Sequence, residues 1–522
     1  MLLVSANQMQ EMDKETIDSF GIPGRVLMEN AGRGAFDFLV TRYDTLKNKK
    51  VAVFAGGGNN GGDGFVIARY LIEKQIHVTV FLLSPKDKVS KDAGINLDLF
   101  QKLCLHSESG EIIQVPDADS FQQYRYHMLH QDLFIDAILG TGLNSDVRGV
   151  FKDAIELMNN SSIPVFSIDI PSGLHSDSGK PLGTAVKADA TATFAFAKAG
   201  HILFPGNTYC GALKIIDIGI PAYIVEKKKI ALSLIEPHDL SAMFPVRPFE
   251  SHKGTFGHLL ILAGSIGKTG AAALCANAAK RCGTGRVTLG VAKSINHLLE
   301  PQVIEPMTHP LPEKKKGILT DHCLDSIEKL SKDKQALAIG PGIGTHKGTK
   351  HLIEKIVKTF EMPLIIDADG INCLTTRPGI LKYKKAPVII TPHPGEMSRL
   401  CHVSTDQVQS DRVGTARHFS DENNTIVVLK GAQTIISMPD GKVFICPTGN
   451  PDMASGGMGD VLTGMIAGFC AQGFSPENAC IAGVYLHGLC GDILSRRSGG
   501  FGFVAGDIIP IIPNAIHQTL KC

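Results

Sequence analysis

Hydrophobic residues in the first 220 positions are grouped in short apolar runs, and each run ends in a polar or glycine-rich segment. Such runs are too short and too uniformly apolar for amphipathic helices, so they predict strands that are buried on both faces. The predicted strands are 51–55, 77–83, 133–135 and 165–168. Stretches with helical spacing lie between them, and this alternation predicts a parallel sheet covered by helices.

Three helices are predicted ahead of the second strand. Ser5 and Gln8 have the spacing of a capping box, which predicts a helix that runs to about Ser19. A second helix carries residues 27–32, and a third is predicted from Phe65 to about Lys74.

The second half of the chain repeats the same pattern after a change in composition. The lysines at 227–229 are followed by Pro237, Pro245 and Pro248, which predicts a boundary segment, and the apolar residues 230–235 predict a strand inside it. Further strands are predicted at 259–262, 336–339, 364–366, 388–390 and 426–429. We therefore expect a second α/β domain.

Composition and charge narrow the class of protein. A chain of 522 residues exceeds one ordinary domain, and 43% hydrophobic with 20% charged residues is typical of globular α/β proteins. A formal net charge of +1 provides no general attraction for nucleic acid or membranes, so neither is an expected partner. The 12 cysteines lack metal-ligand spacing, which predicts reduced thiols rather than a zinc site. With no evident signal peptide or membrane-spanning run, we expect a cytoplasmic protein.

The segment 449–460 is the strongest candidate for chemistry. Its glycines precede an apolar run with helical character, and a glycine-rich turn at a helix start presents free N–H groups to a phosphate. Asp460 at that helix start is a candidate general base for a hydroxyl group that attacks phosphorus. A purely structural N-cap role for Asp460 is the alternative.

The glycine-rich segment 56–64 satisfies the Gly-x-Gly-x-x-Gly pattern of dinucleotide-binding proteins, which would indicate a dehydrogenase. However, the next strand ends in Ser84, Pro85 and Lys86 rather than in an acidic residue that would bind a ribose. The polar side chains of the segment favour polar recognition or cation binding, so we expect a ligand-binding loop rather than a redox cofactor site.

Two aspartates follow predicted strands of the same sheet. Asp136 follows 133–135 and Asp169 follows 165–168, and ligands collect beyond the carboxyl ends of parallel strands. We therefore expect the two carboxylates to face each other across a shared crevice. The alternative is that each aspartate only caps the turn that follows it.

The C-terminal half, about 240–522, resembles the ribokinase-like ADP/ATP-dependent NAD(P)H-hydrate dehydratases. The resemblance rests on Gly-Pro-Gly-Ile-Gly at 340–344, Thr-Pro-His-Pro-Gly-Glu-Met at 391–397, the Lys-Gly-x-x-Thr segment at 430–434 and the Asn-x-x-Met-Ala-Ser-Gly-Gly-x-Gly-Asp signature at 450–460. Met458 departs from the small hydroxyl residue usual in that family. The resemblance implies that the hydrate contacts Ala272, Gly344, His393 and Asp460, and that the nucleotide contacts Lys430, Gly431, Ala432, Gln433, Thr434 and Gly459. A structural role for His393 in fixing its Pro-rich turn is an alternative.

The N-terminal half, about 1–220, resembles the NAD(P)H-hydrate epimerase domain through the segments 59–64 and 140–146 and the aspartates at the strand ends. The resemblance implies that the substrate contacts Asn59, Asn60, Gly61, Gly62, Asp63, Gly140, Thr141, Gly142, Leu143, Asn144, Ser145, Asp146 and Asp169. It also implies that Asn60, Asp136 and Ser172 hold a potassium ion. Asp169 is the candidate acid/base residue.

Together the resemblances imply an α/β protein with a Rossmann-like three-layer sandwich at 1–225 and a ribokinase-like parallel sheet, with helices on both faces, at 236–522. The implied function is repair of hydrated NADH and NADPH: the R and S C6-hydrates are interconverted, and the S form is dehydrated at the expense of ADP, with AMP and phosphate as products. Potassium, ADP, Mg²⁺ and a homo-oligomeric state are expected. The alternatives are an ATP-dependent kinase of a small hydroxylated metabolite and a nucleotide-sensing binding protein.

Overall fold

A computed structural model describes residues 1–43 and 45–521 of the chain. The chain divides into two compact units, one of residues 2–230 and one of residues 231–522 together with Met1. Each unit is built on its own run of strands.

The first unit alternates strands and helices along most of its length. Its strands are β1 Leu2–Val4, β2 Lys50–Ala55, β3 His77–Leu82, β4 Gly110–Gln114, β5 Leu133–Ala137, β6 Val165–Ile168, β7 Ala190–Phe194, β8 Ala197–Lys198 and β9 Ala212–Ile216. Its helices are α1 Ala6–Lys14, α2 Gly24–Arg42, α3 Asn59–Glu73, α4 Lys91–Cys104, α5 Ala118–Met128, α6 Gly149–Asn160, α7 Ala199–Ile202 and α8 Ala222–Lys227.

Seven of these strands form a sheet in the order β4-β3-β2-β5-β6-β7-β9, and every neighbouring pair is parallel. β1 pairs with β8 in parallel. Phe54 on β2 stacks on Phe81 of β3 and meets the edge of the Phe134 ring on β5, so aromatic packing joins the central strands. The predicted parallel sheet of this half is confirmed.

The first predicted helix begins where expected but changes form before its end. Ser5 and Gln8 make both hydrogen bonds of the capping box. The α-helix stops at Lys14, and Glu15–Phe20 continues as a π-helix rather than as the regular helix predicted to about Ser19.

The third helix begins six residues earlier than predicted, since α3 starts at Asn59 rather than at Phe65. The stretch 59–64, predicted as a loop, therefore forms the first turns of a helix. Glycine lowers helix propensity, but here small residues are required by packing. A Cβ atom on Gly61 would lie 2.0 Å from the Gly56 carbonyl oxygen, and one on Gly64 would lie 2.6 Å from the Ala137 side chain.

The second unit contains the remaining elements. Its strands are β10 Leu232–Leu234, β11 His258–Leu262, β12 Arg286–Ala292, β13 Met307–Leu311, β14 Ala336–Ile339, β15 Leu364–Ile366, β16 Val388–Ile390, β17 Ile426–Leu429, β18 Ile435–Ser437 and β19 Val443–Ile445. Its helices are α9 Pro237–Ser241, α10 Thr269–Arg281, α11 Asn296–Leu299, α12 Leu324–Ser331, α13 Lys347–Thr359, α14 Asp369–Leu374, α15 Pro394–Cys401, α16 Thr405–Ser410, α17 Arg412–Asn423, α18 Met458–Ala471, α19 Pro476–Ser498 and α20 Ala505–Thr519.

The strand order of this unit is β13-β12-β11-β14-β15-β16-β17-β18-β19-β10. Pairs from β13 to β17 are parallel, as predicted, whereas β18 runs antiparallel to both β17 and β19. Helices α10 and α18 pack together, and a Cβ atom on Gly464 of α18 would lie 2.2 Å from the Cys275 carbonyl oxygen. A Cβ atom on Gly459 would lie 3.7 Å from Asp367 Oδ2, so the start of α18 lies next to the carboxyl end of β15.

Two further features bear on the sequence analysis. Every cysteine in the described residues is a free thiol and most are buried, which agrees with the prediction of reduced thiols. Over residues 1–43 and 45–521, no helix combines the length and the hydrophobicity that a membrane span requires.

Candidate active sites

A cavity of about 590 Å³ lies at the carboxyl ends of the central strands of the first unit. Nine of the predicted substrate-contacting residues line it: Asn59, Asn60, Asp63, Gly140, Thr141, Gly142, Leu143, Asn144 and Asp169. Gly61, Gly62, Ser145 and Asp146 do not line it. The cavity therefore collects the strand-end loops that the topology predicts.

Asp169 follows β6 in a left-handed backbone conformation, with a φ of 61° that is uncommon for a residue other than glycine. Its Oδ1 accepts a hydrogen bond of 2.6 Å from the ammonium group of Lys198, whose side chain is only 1% exposed. Burial by itself raises the pKa of Asp169, but the Lys198 charge and hydrogen bond, with smaller contributions from His201 and Thr193, together outweigh burial and leave this pKa below its ordinary value. Asp169 is therefore an ionised carboxylate in the wall of the cavity.

Lys198 was not predicted from the sequence, because a single lysine at the end of the two-residue strand β8 carries no recognisable motif. The Lys198 ammonium also donates to Thr193 Oγ1 at 2.9 Å and to the Phe194 carbonyl at 3.3 Å. His201 Nε2 lies 2.9 Å from the Asp169 carbonyl oxygen, and burial, together with the Lys198 charge, lowers the pKa of His201 to about 4. The imidazole is thus neutral and leaves Lys198 as the cation paired with Asp169.

Asp136 does not face Asp169 across the cavity, so that expectation is wrong. Asp136 is fully buried, and its carboxylate accepts hydrogen bonds from Ser167 Oγ and Ser172 N at 2.8 Å and from Ser172 Oγ at 2.5 Å. Burial raises the pKa of Asp136 although these donors oppose the rise. The carboxylate turns inward because Ser172 and the turn at Ile138 supply the donors there.

Asn60, Ser172 and Asp136 nevertheless form one connected group. Asn60 Nδ2 donates to the Leu139 carbonyl at 3.1 Å, and Ser172 Oγ lies 3.1 Å from the same carbonyl oxygen. Asn60 Oδ1 is buried and has no hydrogen-bond partner among the described residues. The buried Asn60 oxygen therefore lacks a donor among the described residues and is available as an uncharged ligand for a cation.

In the second unit, Asp460 is the third residue of α18, whose N-cap is Gly457 with a φ of 91° and no side-chain cap. The first N–H groups of such a helix lack intrahelical partners and point at any ligand placed before it. Burial, followed by the nearby Asp367 carboxylate, raises the pKa of Asp460 to about 6. Met458 is buried, and it retains the backbone N–H that any residue other than proline supplies at this position.

Lys430 is adjacent to this turn, since a Cβ atom on Gly459 would lie 3.2 Å from Lys430 Nζ. The ammonium group lies 2.8 Å from Asp367 Oδ1 and 3.8 Å from Glu396 Oε2. Burial acts to lower the pKa of Lys430, but the two carboxylates outweigh it and raise this pKa. Asp367, which follows β15, is held in turn by Thr463 Oγ1 of α18 at 2.7 Å.

Gly344 and His393, which the resemblance implies as contacts of the hydrate, already make hydrogen bonds within the protein. Gly344 N donates to Asp369 Oδ2, which also pairs with Lys268 at 2.8 Å. His393 fixes the start of α15, because its Nδ1 accepts from Gly395 N while its own N–H donates to Glu396 Oε2. The structural alternative for His393 therefore holds, although half of its side chain stays exposed.

Ala272 is fully buried, and its Cβ lies beside Gly264, so its side chain presents no surface to a ligand.

Arg412 was missed by the sequence analysis, and its side chain makes hydrogen bonds that hold the loop 430–434. Its guanidinium donates to the carbonyl oxygens of Ala432 and Leu429, and burial lowers the pKa of Arg412 to about 10. Arg412 lacked a signal because it precedes its loop by about twenty residues at the start of another helix.

Comparisons with known proteins cover both units. A family model described as NAD(P)H-hydrate dehydratase matches residues 259–514, and one described as YjeF-related protein N-terminus matches residues 24–200. Proteins named bifunctional NAD(P)H-hydrate repair enzyme Nnr are similar over the whole chain. The protein from Moorella thermoacetica is 37% identical over 99% of this chain and 97% of its own length. The protein from Escherichia coli is 30% identical over 99% of this chain and 94% of its own length.

Among solved structures, the ADP/ATP-dependent NAD(P)H-hydrate dehydratase of Bacillus subtilis, co-crystallised with ATP and Mg²⁺, is 31% identical. It covers 55% of this chain and 98% of its own chain, with a TM-score of 0.49. The two-unit α/β fold and the full-length similarity agree, and they show that the chain belongs to the family of bifunctional NAD(P)H-hydrate repair enzymes.

Proposed function

We propose that Asp460 is the general base for dehydration of the S C6-hydrate in this bifunctional NAD(P)H-hydrate repair enzyme. The observation that carries the assignment is its position at the start of α18, which has no side-chain cap, with a pKa of about 6. A carboxylate with this pKa is mostly ionised at neutral pH and still basic enough to accept a proton from a hydroxyl group.

The chemistry explains why a dehydratase contains a phosphate-binding turn. Hydroxide is a poor leaving group, whereas a phosphate ester leaves readily when the ring nitrogen donates its electron pair toward C6. Asp460 takes the proton of the C6 hydroxyl, whose oxygen then attacks the terminal phosphorus of ADP and releases AMP. The N–H groups at the start of α18 stabilise the charge that develops on the phosphoryl oxygens. Loss of phosphate and of a C5 proton restores the reduced nicotinamide.

The nucleotide is assigned to the loop 430–434 and to Gly459, with Lys430 as the cation nearest to the phosphates. Four carboxylates surround this position, and among the described residues Lys430 and Lys268 are the two lysines that pair with them. The carboxylates are Asp367, Asp369, Glu396 and Asp460. Such an excess of negative charge fits Mg²⁺, which binds through one or two carboxylates together with phosphate oxygens. When bound, the ion would neutralise charge on the phosphates.

For epimerisation we assign Asp169 as the acid/base residue, positioned by Lys198 in the wall of the 590 Å³ cavity. Potassium is assigned to Asn60 Oδ1, the Leu139 carbonyl and Ser172, with Asp136 behind them as the balancing negative charge. The ion would fix the loop 140–144 against the start of α3. Comparison of the epimerisation rate in potassium chloride and in choline chloride tests this assignment.

The epimerase activity is assigned to residues 1–225 and the dehydratase activity to residues 236–522. We further assign the protein to the cytoplasm, and we propose that it is a homo-oligomer. Light scattering of the purified protein tests the oligomeric state by measuring the mass in solution.

The decisive experiment for the dehydratase assignment is product analysis. With purified S-hydrate and ADP, we expect AMP, free phosphate and recovery of the absorbance band of the dihydropyridine ring. A stable phosphate ester without recovery of that band would instead identify a kinase, and no nucleotide turnover would indicate a binding protein.

A further inference from the structure

We propose that Asp13 is a second catalytic carboxyl group of the epimerase cavity and donates the proton with which the C6 hydroxyl leaves as water. This inference rests on the proposed assignment of the cavity to epimerisation, with Asp169 as its base. Asp13 lies in α1, outside every segment that the family resemblance connects with the substrate.

The position of Asp13 on its helix has no structural explanation. Met9, Gln10 and Asp13 of α1 line the cavity, and Ile17 of the following π-helix lines it as well, so this part of the chain forms one side of the cavity wall. The neighbouring Met12 and Thr16 are buried in the protein. A partly buried carboxyl group costs stability unless it has a task there.

One oxygen of the Asp13 carboxyl group also lacks a hydrogen-bond partner among the described residues. This oxygen, Oδ1, is buried. The α-helix ends one residue later and continues as the π-helix Glu15–Phe20. Such π-helical segments are frequent at functional sites because they change the direction of neighbouring side chains.

The charged groups that face Asp13 come from three other elements. They are Asp63 on α3, Asp169 after β6 and Lys198 on β8. Lys198 is the one cation among them, and it is paired with Asp169 at 2.6 Å. Three carboxyl groups around one ammonium group cannot all be ionised at low cost, so Asp13 and Asp63 are favoured in their neutral forms.

The three carboxyl groups differ in pKa, as acid/base catalysis requires. Burial, opposed by Lys198 and assisted by Asp169, raises the pKa of Asp13 to about 6. Burial also raises the pKa of Asp63 well above its usual range, so Asp63 retains its proton. Asp169 is ionised. Asp13 is thus the carboxyl group that can both release and regain a proton near neutral pH.

The reaction needs one acid and one base on opposite faces of C6. Asp13 transfers its proton to the hydroxyl oxygen, the C6–O bond breaks, and the lone pair of the ring nitrogen forms a C6=N1 double bond as water leaves. A second water molecule adds to the other face of C6, the electron pair returns to nitrogen, and Asp169 takes the surplus proton. That proton returns from Asp169 to Asp13 through solvent, and the reverse reaction exchanges their roles.

The test compares Asp13→Asn with Asp18→Asn in the full-length protein. Asp18 lies in the π-helix that follows α1, is exposed and does not line the cavity. Its substitution therefore makes the same change of side chain outside the cavity. Without nucleotide the dehydratase is silent, and formation of the R-hydrate from purified S-hydrate is followed by chromatography. We expect Asp13→Asn to lower the catalysed rate by about 10²- to 10⁴-fold and Asp18→Asn to leave it unchanged.

Three further measurements distinguish catalysis from a structural role. For the wild type, kcat/KM is expected to fall as pH rises past about 6. In ¹⁸O-labelled water, each inverted product molecule should carry one solvent oxygen. The melting temperature of Asp13→Asn at pH 8 should equal or exceed that of the wild type, because the substitution removes a poorly solvated charge.

The inference is overturned if Asp13→Asn retains its rate within threefold, if its melting temperature falls by several degrees, or if the product keeps its original oxygen. Loss of activity in Asp63→Asn with full activity in Asp13→Asn would identify Asp63 as the donor instead. A wild-type protein that fails to interconvert the hydrates would remove the epimerase assignment itself, and this inference with it.

Discussion

Lys198 Nζ lies 2.6 Å from Asp169 Oδ1, and the lysine side chain is 1% exposed. Removal of one partner of such a buried pair leaves the other charge uncompensated, which costs about 3–5 kcal/mol. We therefore expect Lys198→Met to lower the melting temperature markedly. The double variant Lys198→Met/Asp169→Asn should recover part of that loss, because both charges are then absent.

The pH dependence of stability gives an independent check on this pair. The folded-state pKa of Asp169 lies below the unfolded value of about 3.9, so its contribution to stability is present above that pH. The contribution is lost as pH falls through the folded-state pKa. Equal acid unfolding of the wild type and Asp169→Asn would contradict the pairing.

Asp169→Asn is expected to stop epimerisation and to leave dehydration unchanged, because the proposed dehydratase carboxylates belong to the other unit. With a mixed hydrate and excess ADP, the variant should convert the S fraction quickly and then stall. The slow second phase should match spontaneous epimerisation of the R fraction. If Asp169 only orders the turn at Ser172, the variant instead keeps a catalysed second phase at the wild-type rate, and this rate is the deciding measurement because loss of the pair with Lys198 lowers the melting temperature in either case.

Asp460→Asn is expected to lower dehydration by about 10²- to 10⁴-fold while nucleotide binding persists, since the backbone donors of α18 are unchanged. Asp325→Asn is a matched control, because Asp325 is an exposed aspartate in the first turn of α12. In the wild type, kcat/KM should rise through about pH 6 as Asp460 loses its proton. Normal turnover in a folded Asp460→Asn protein would refute the assignment.

Arg412→Met is expected to raise the KM for ADP by about tenfold or more with a smaller effect on kcat. The guanidinium donates to the carbonyl oxygens of Leu429 and Ala432, and hydrogen bonds to charged groups contribute about 1.5–3 kcal/mol each. Arg412→Lys should fail to restore the KM, because an ammonium group cannot span both acceptors. An unchanged KM would show that the loop is held by other contacts.

Separate fragments 1–230 and 231–522 are expected to fold, because each carries its own strands and its own candidate site. Differential scanning calorimetry should show a cooperative transition for each fragment. The first fragment should retain epimerase activity and the second dehydratase activity. Absence of a cooperative transition in both would mean that the division at residue 230 does not separate independent folding units.

The sequence by itself determined the α/β class, the positions of ten of the nineteen strands in the described residues and the two segments proposed to carry the chemistry. Fully buried parallel strands require near-continuous apolar runs, and a helix start that binds phosphate requires glycines followed by a polar residue. These requirements are local, so they appear in the chain as patterns. The capping box of Ser5 and Gln8 is another local feature that was predicted correctly.

Only the tertiary structure decided features that depend on partners distant in the chain. The start of α3 at Asn59 follows from packing around Gly61 and Gly64, which overrides the low helix propensity of glycine. The inward orientation of Asp136 depends on donors from Ser167 and Ser172. The pairing of Asp169 with Lys198 joins residues 29 positions apart. Charge compensation and packing act through space, and no local pattern records them.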